Sequence, residues 1–263
     1  MFLFKRSFSS ECLKKYTVPQ LKSVAILSGV ASSGNKPEII DRLSHHFTTT
    51  STPTRSVLSF DLGYRNLAYC HLDHEANVLD WAKIDLDLPS FHPSVVAPII
   101  REFIDQNVIK NLKTVDKVLV EQQRARTGGA HAVLENTLRV NCVEAILWCG
   151  LYEATESIQR DIQMMPIPRQ SVDRAWQLEL DAIVAENPAR FLKIKQGYYQ
   201  KKQASALLVQ KWLDTNTTVQ CNQEFKTMYE QAKKKDDLSD CLIQALAWYR
   251  WERFTKEFIE INN

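Results

Sequence analysis

Glycine and proline are scarce in this 263-residue chain, seven and nine respectively, as in ordinary folded proteins with a substantial core. No apolar run approaches the roughly 18 residues that a bilayer-spanning helix needs, so a membrane protein is not expected. Cysteine pairing is missing too. Cys12, Cys70, Cys142, Cys149, Cys221 and Cys241 stand singly with no CxxC pair, which suits neither a zinc site nor a disulfide framework and reads as reduced intracellular thiols. Nor is there an excess of either charge. Lys and Arg total 33 against 31 Asp and Glu, a net charge of +2, so any polyanion-binding surface must come from local clusters. There is no internal repeat or low-complexity tract. His71 and His74 lie close in HLDH, but without further ligands at suitable spacing they read as a strand end and loop.

What is present is 44% hydrophobic residues in a length that suits one full-size domain with a small appendage. The opening MFLFKRSFSS carries Lys5 and Arg6, three serines and no acid before Glu11, the composition of a mitochondrial presequence; residues 1–16 are assigned to it. Residues 17–47 read as two short helices. Thr17 can cap the first, Pro19 suits its first turn, Val18, Leu21, Val24 (or Ala25) and Leu27 form its apolar stripe, and Gly29 is placed to end it. The second carries Ile39, Ile40, Leu43 and Phe47 at helical spacing. Residues 48–55, TTTSTPTR, read as a flexible linker. From residue 56 to 263 the pattern is that of a larger domain. SVLSFDL, LAYCHL and VLDWAKI read as three strands joined by short turns. A helix over about Ser94 to Val108, the strand KVLVE, a long helix over about Ala132 to Ile158 and the strand IQMMPIP follow. The rest is mostly helical. The fold class is therefore α/β: three antiparallel strands and then parallel ones in a mixed sheet layered with helices.

Acidic residues stand where these elements begin or end. Asp61 closes one apolar strand ahead of Gly63, and Glu121 closes another. Asp236, Asp237 and Asp240 open the final helix, where acids three or four apart share a face. Carboxylates gathered this way can hold two divalent cations ~4 Å apart, one activating water and the other stabilising the leaving oxygen of a phosphodiester. Oxygen ligands suit Mg²⁺, with Mn²⁺ as substitute, rather than zinc. Each acid has a plainer role open to it: Asp61 in its own turn, Glu121 paired with Arg124, the aspartates as helix cap and dipole complement. Against the last stands the run Lys233, Lys234, Lys235, unfavourable at a helix N-terminus unless phosphate and metal meet there.

In this order, SVLSFDLGYRNLAYC, KVLVEQQRARTG, TLRVN and KKKDDLSDCLIQALAW closely resemble the fungal mitochondrial cruciform-cutting resolvases, relatives of bacterial RuvC. Residues 18 to 43 also resemble a SAP motif, a two-helix DNA-binding element, through VPQLK, Gly29, Gly34-Asn35-Lys36 and DRL. The resemblance implies a ribonuclease H-like fold and a homodimer in the mitochondrial matrix. It also implies symmetrical nicking of a four-way DNA junction, with no small-molecule cofactor. By position it puts Asp61, Glu121 and Asp240 on the metal-binding carboxylates, and the remaining ligand on Asp236 or Asp237, with RuvC-like spacing favouring Asp237.

Phosphate contacts should then supply most of the affinity and make it salt-dependent. The candidates are Arg124, Arg126, Arg139, Lys193, Lys195, Lys201, Lys202 and Lys233 to Lys235, with Lys22 and Lys36 in the SAP-like segment. Tyr198 and Tyr199 could stack on unpaired bases, and Gln122 and Gln123 could touch the scissile strand. Gly128 and Gly129 would let a loop approach DNA. Trp148 and Leu151 belong to core or dimer interface. Three alternatives remain: an actin-like ATPase, disfavoured because no second glycine-rich phosphate hairpin exists, a non-catalytic junction-binding protein, and a nuclease of RNA–DNA hybrids.

Overall fold

The computed structural model describes residues 10–50, 52–63, 65–123, 135–194 and 197–262, apart from the Tyr198 side chain. Arg124, Arg126, Gly128, Gly129, Lys195 and the start of the presequence lie outside the described residues. The chain forms two compact units: residues 1–54, 170–177 and 246–263 in one, and 55–169 and 178–245 in the other.

The smaller unit is helical. A short helix, α1 (Glu11–Lys14), precedes α2 (Val18–Leu27) and α3 (Lys36–Thr49). Both longer helices start as their sequences dictate, α2 through a Thr17–Gln20 capping box and α3 through an Asn35–Glu38 one. Gly29 follows α2 with φ +70°, the left-handed turn glycine adopts without strain. Leu13, Leu21, Val24, Ile39, Leu43 and Phe47 close one apolar cluster with Phe258. Leu13 is fully buried there, so the part of the assigned presequence from Glu11 onward is built into this unit. The expected linker differs as well. Thr48 and Thr49 extend α3, and Thr54 is buried, its hydroxyl donating to Glu252 at 2.6 Å.

The larger unit is built on five strands: β1 (Ser56–Leu62), β2 (Asn66–Asp73), β3 (Val78–Asp85), β4 (Lys117–Gln122) and β5 (Gln163–Pro168). Their order is β3-β2-β1-β4-β5. The first three pair antiparallel, while β4 and β5 join parallel, as the sequence pattern led us to expect. The helix α4 (Pro93–Phe103) passes through a π-turn (Ile104–Val108) into α5 (Ile109–Leu112). It packs with α6 (Glu135–Ser157) on one face of the sheet, over Leu58, Phe60, Val118 and Val120. Leu151 is fully buried in that layer and Trp148 packs at its margin.

The remaining helices are α7 (Arg169–Ala175), α8 (Gln177–Glu186), α9 (Pro188–Phe191), α10 (Gly197–Thr215), α11 (Gln223–Gln231) and α12 (Asp236–Asn262). Strand residues alternate between faces, so Ser59, Asp61, Leu119 and Glu121 point away from the α4–α6 layer. The first turns of α12 cover that second face. Gln244, fully inside, donates through Nε2 to Ser59 Oγ at 2.9 Å and to the Phe60 and Leu119 carbonyls at 3.2 and 3.4 Å. Trp81 of β3 donates to the Leu238 carbonyl at 3.1 Å and stacks on Tyr229. His71 is buried on the opposite face, bonded through Nδ1 to Asn111.

Candidate active site

Parallel pairing of β1 with β4 sets the geometry. Phe60 lies opposite Val120, so the next residues along, Asp61 and Glu121, leave the sheet side by side on the α12 face. Their side chains lie close enough to act on each other. Asp240 enters from the second turn of α12 and is buried. Acids from three distant stretches of chain thus come near enough for their charges to act on one another.

The fourth member is Arg169, the first residue of α7, which sequence reasoning had not singled out. Its guanidinium forks onto Asp240, with Nη1 at 2.7 Å and Nη2 at 2.8 Å, and stands 3.9 Å from Glu121. Burial pushes Asp61 well above the usual carboxylate range, and the charges of Glu121 and Asp240 add to it. Burial also raises Asp240, with Arg169 opposing. For Arg169, burial works against the cation, but Asp240, Glu121 and Asp61 outweigh it and hold the proton more tightly.

Asp236 and Asp237 stand to one side. Asp236 is paired with Lys202 at 2.5 Å; burial opposes its charge, and Lys202 outweighs burial to lower its pKa. Asp237 lies 3.9 Å from Lys83, and its Oδ2 is buried with no hydrogen-bond partner. Burial and the neighbouring Asp236 charge raise it. A further acid was missed: Glu144 of α6 accepts from the Gln123 backbone N–H at 3.4 Å and is raised by burial, with Glu121 adding. Nothing local in the sequence marks Arg169 or Glu144, since both act across long sequence separations.

Of the expected DNA contacts, Lys22, Lys193, Lys201, Lys233 and Lys234 are exposed, as are Tyr199 and Gln122. Several candidates are engaged within the protein. Lys202 holds Asp236, and Lys235 bonds Gln210 and sits 4.8 Å over the Tyr229 ring. Arg139 pairs with Glu135 one turn away and lies over Phe91, while Lys36 donates to the Lys14 carbonyl. Gln123 is half-buried and donates to the Leu62 carbonyl at 3.3 Å.

A hard divalent cation matches this donor chemistry, which is all carboxylate oxygen. A pair of neighbouring acids and an orphaned carboxylate oxygen are what such an ion would relieve. As the side chains stand, however, the positive charge among them is Arg169. Among the described residues no three acidic, histidine or cysteine side chains converge on one point. No described helix is long and apolar enough to cross a membrane.

The chain is 27% identical over 259 residues to the mitochondrial cruciform cutting endonuclease 1 of Schizosaccharomyces pombe, spanning 90% of this chain and 93% of that one. Its namesake from Saccharomyces cerevisiae is 21% identical over 312 residues, spanning 96% and 86%. The crystal structure of the yeast mitochondrial Holliday junction resolvase Ydc2 shares the fold, with TM-score 0.64 at 22% identity over 94% of this chain and 98% of that one. The sheet is accordingly the ribonuclease H-like one that the motifs implied. Matching over residues 57–230, this chain belongs to the family described as mitochondrial resolvase Ydc2 / RNA splicing MRS1.

Proposed function

We propose that this chain is a mitochondrial endonuclease that resolves four-way DNA junctions by metal-dependent phosphodiester hydrolysis, working as a homodimer to place paired nicks. One observation carries the reading. Asp61 and Glu121, at the ends of the neighbouring strands β1 and β4, lie close to Asp240 of α12 in a chain whose relatives are named as cruciform-cutting. When bound there, Mg²⁺, or Mn²⁺ in its place, would supply the activation of water and the stabilisation of the leaving oxygen. Asp61, Glu121 and Asp240 would hold it. Asp237 is the better fourth ligand, because its Oδ2 lacks a donor while Asp236 is already bound to Lys202.

Around that centre the protein supplies position and charge. Lys233 and Lys234 stand exposed just ahead of the acids, where a phosphate backbone can reach them. Gln122 is exposed at the exit of β4, beside Glu121. Lys193, Lys201 and Tyr199 offer further phosphate and stacking contacts, and Lys22 gives the SAP-like helix pair an exposed cation. The basic, acid-poor opening MFLFKRSFSS suits import into mitochondria.

The test compares a labelled four-way junction with a matched linear duplex, in Mg²⁺ or EDTA, alongside Asp61→Asn and Asp240→Asn. Paired nicks confined to the junction, dependent on Mg²⁺ and lost in both variants while binding survives, are the expected result. Binding without cutting by the unmodified protein would instead favour a non-catalytic role, and the family's RNA-splicing members make structured RNA the next ligand to try. Cutting of RNA–DNA hybrids alone would reassign the substrate.

A further inference from the structure

We propose that Arg169 is the resident counter-cation of the carboxylate cluster and competes with divalent ions for it, so that metal binding requires its guanidinium to leave Asp240. The proposal rests on the metal-dependent reading above and adds a cost to the first step of that reading.

The geometry is that of a held ion pair rather than a passing contact. Arg169 engages both oxygens of Asp240 at 2.7 and 2.8 Å, a planar fork matched to a carboxylate. It also lies 3.9 Å from Glu121, and its side chain is three-quarters shielded from solvent. A guanidinium cannot give up its proton under ordinary conditions, so the charge stays until the group moves. A divalent ion on the same Asp240 oxygens would stand beside that charge and be repelled by it. Conversely, removing Arg169 leaves buried acids without compensation, which costs folding stability and makes any incoming cation more welcome. Arg169 begins α7 directly after Pro168 ends β5, so its backbone is anchored to the sheet and any departure from Asp240 has to come from the long side chain.

The measurement is calorimetric titration of Mn²⁺ into the full chain without DNA, for the unmodified protein, Arg169→Met, Arg169→Lys and Asp240→Asn. Melting is followed in EDTA and in saturating Mn²⁺. Arg169→Met should bind Mn²⁺ on the order of tenfold more tightly. It should melt lower in EDTA, with the deficit shrinking in Mn²⁺. Arg169→Lys, which keeps charge but loses the fork, should fall between, and it decides the matter if the methionine variant does not fold. Equal or weaker Mn²⁺ affinity in the folded variants, with binding still lost in Asp240→Asn, overturns the competition and leaves the metal site standing. Absence of Mn²⁺ binding in every protein overturns both.

Discussion

Replacing Gln244 with leucine should separate the scaffold of the site from its chemistry. Gln244 lies one helical turn beyond Asp240 and is buried. Its single amide nitrogen serves Ser59 Oγ and the carbonyls of Phe60 and Leu119 at 2.9, 3.2 and 3.4 Å. Those carbonyls sit one residue before Asp61 and two before Glu121, so one side chain ties α12 to both acid-bearing strands. Leucine fills nearly the same volume but donates nothing, stranding the fully buried Ser59 hydroxyl. Leaving one buried polar group unsatisfied costs about 1–3 kcal/mol, a sizeable part of a stability of about 5–15 kcal/mol. Urea unfolding in EDTA should show that loss. Junction cleavage should slow through kcat, because the acids are less well held, while junction affinity stays the same. A double-mutant cycle with Ser59→Ala should return a coupling of about 0.5–3 kcal/mol. Zero coupling, with Gln244→Leu as stable and as fast as the unmodified protein, would refute the claim that this contact sets the geometry.

Other perturbations follow from the same contacts. Burial beside Glu121 raises Asp61, so its ionised form weakens the metal-free fold, and stability falls as pH climbs from the ordinary 3.8 toward the folded value. Asp61→Asn should therefore melt higher than the unmodified protein in EDTA at neutral pH, match it in acid, and cut no junctions. Burial lowers His71 below 6.5, so its contribution is present above that pH and is lost as pH falls through 6.5 toward the folded value. His71→Asn, which keeps a donor toward Asn111, should be less stable at neutral pH but flatter between neutral and mildly acidic pH in thermal melts. Gly29→Ala places a Cβ 2.5 Å from the Trp251 ring at φ +70°. Circular dichroism melts should report a loss of about 1–2 kcal/mol from the left-handed backbone plus about 1–3 kcal/mol from overpacking.

The strands, the two N-terminal helices and the change from antiparallel to parallel pairing were legible because their causes are local: alternation, the Thr17 cap, a glycine at a helix end. Asp61, Glu121 and Asp240 were legible for a related reason, each standing at an element boundary. Arg169, Gln244 and Glu144 were not, because each owes its role to a partner tens of residues away and nothing in its own neighbourhood differs from an ordinary helix. The internal partners of Lys202 and Arg139, which the sequence offers as phosphate contacts, were not legible either. Spacing along the chain showed basic residues but not the acids, Asp236 and Glu135, that engage them. The linker failed similarly. TTTSTPTR has a loop's composition, yet Glu252, far along the chain, fastens its end.

The doubled aspartates raise a question that magnitudes can decide. Acids in a helix's first turn gain about 0.3–1 kcal/mol from the dipole, which is reason enough for Asp236 and Asp237 to be there. Asp240 lies beyond that turn, past the reach of the free N–H groups, and is buried. Keeping a charge there costs several kcal/mol in lost hydration, and replacing a buried ion pair with apolar residues is often neutral or stabilising by about 1–4 kcal/mol. Folding therefore gives Asp240 and Arg169 no clear reason to face each other across Glu121. Stability would be served as well by a leucine and a methionine. A role in binding, as proposed above, would supply the reason, since an acid held above the ordinary carboxylate range at a strand end beside two further acids, as Asp61 is, is the kind of arrangement that binding and catalysis require.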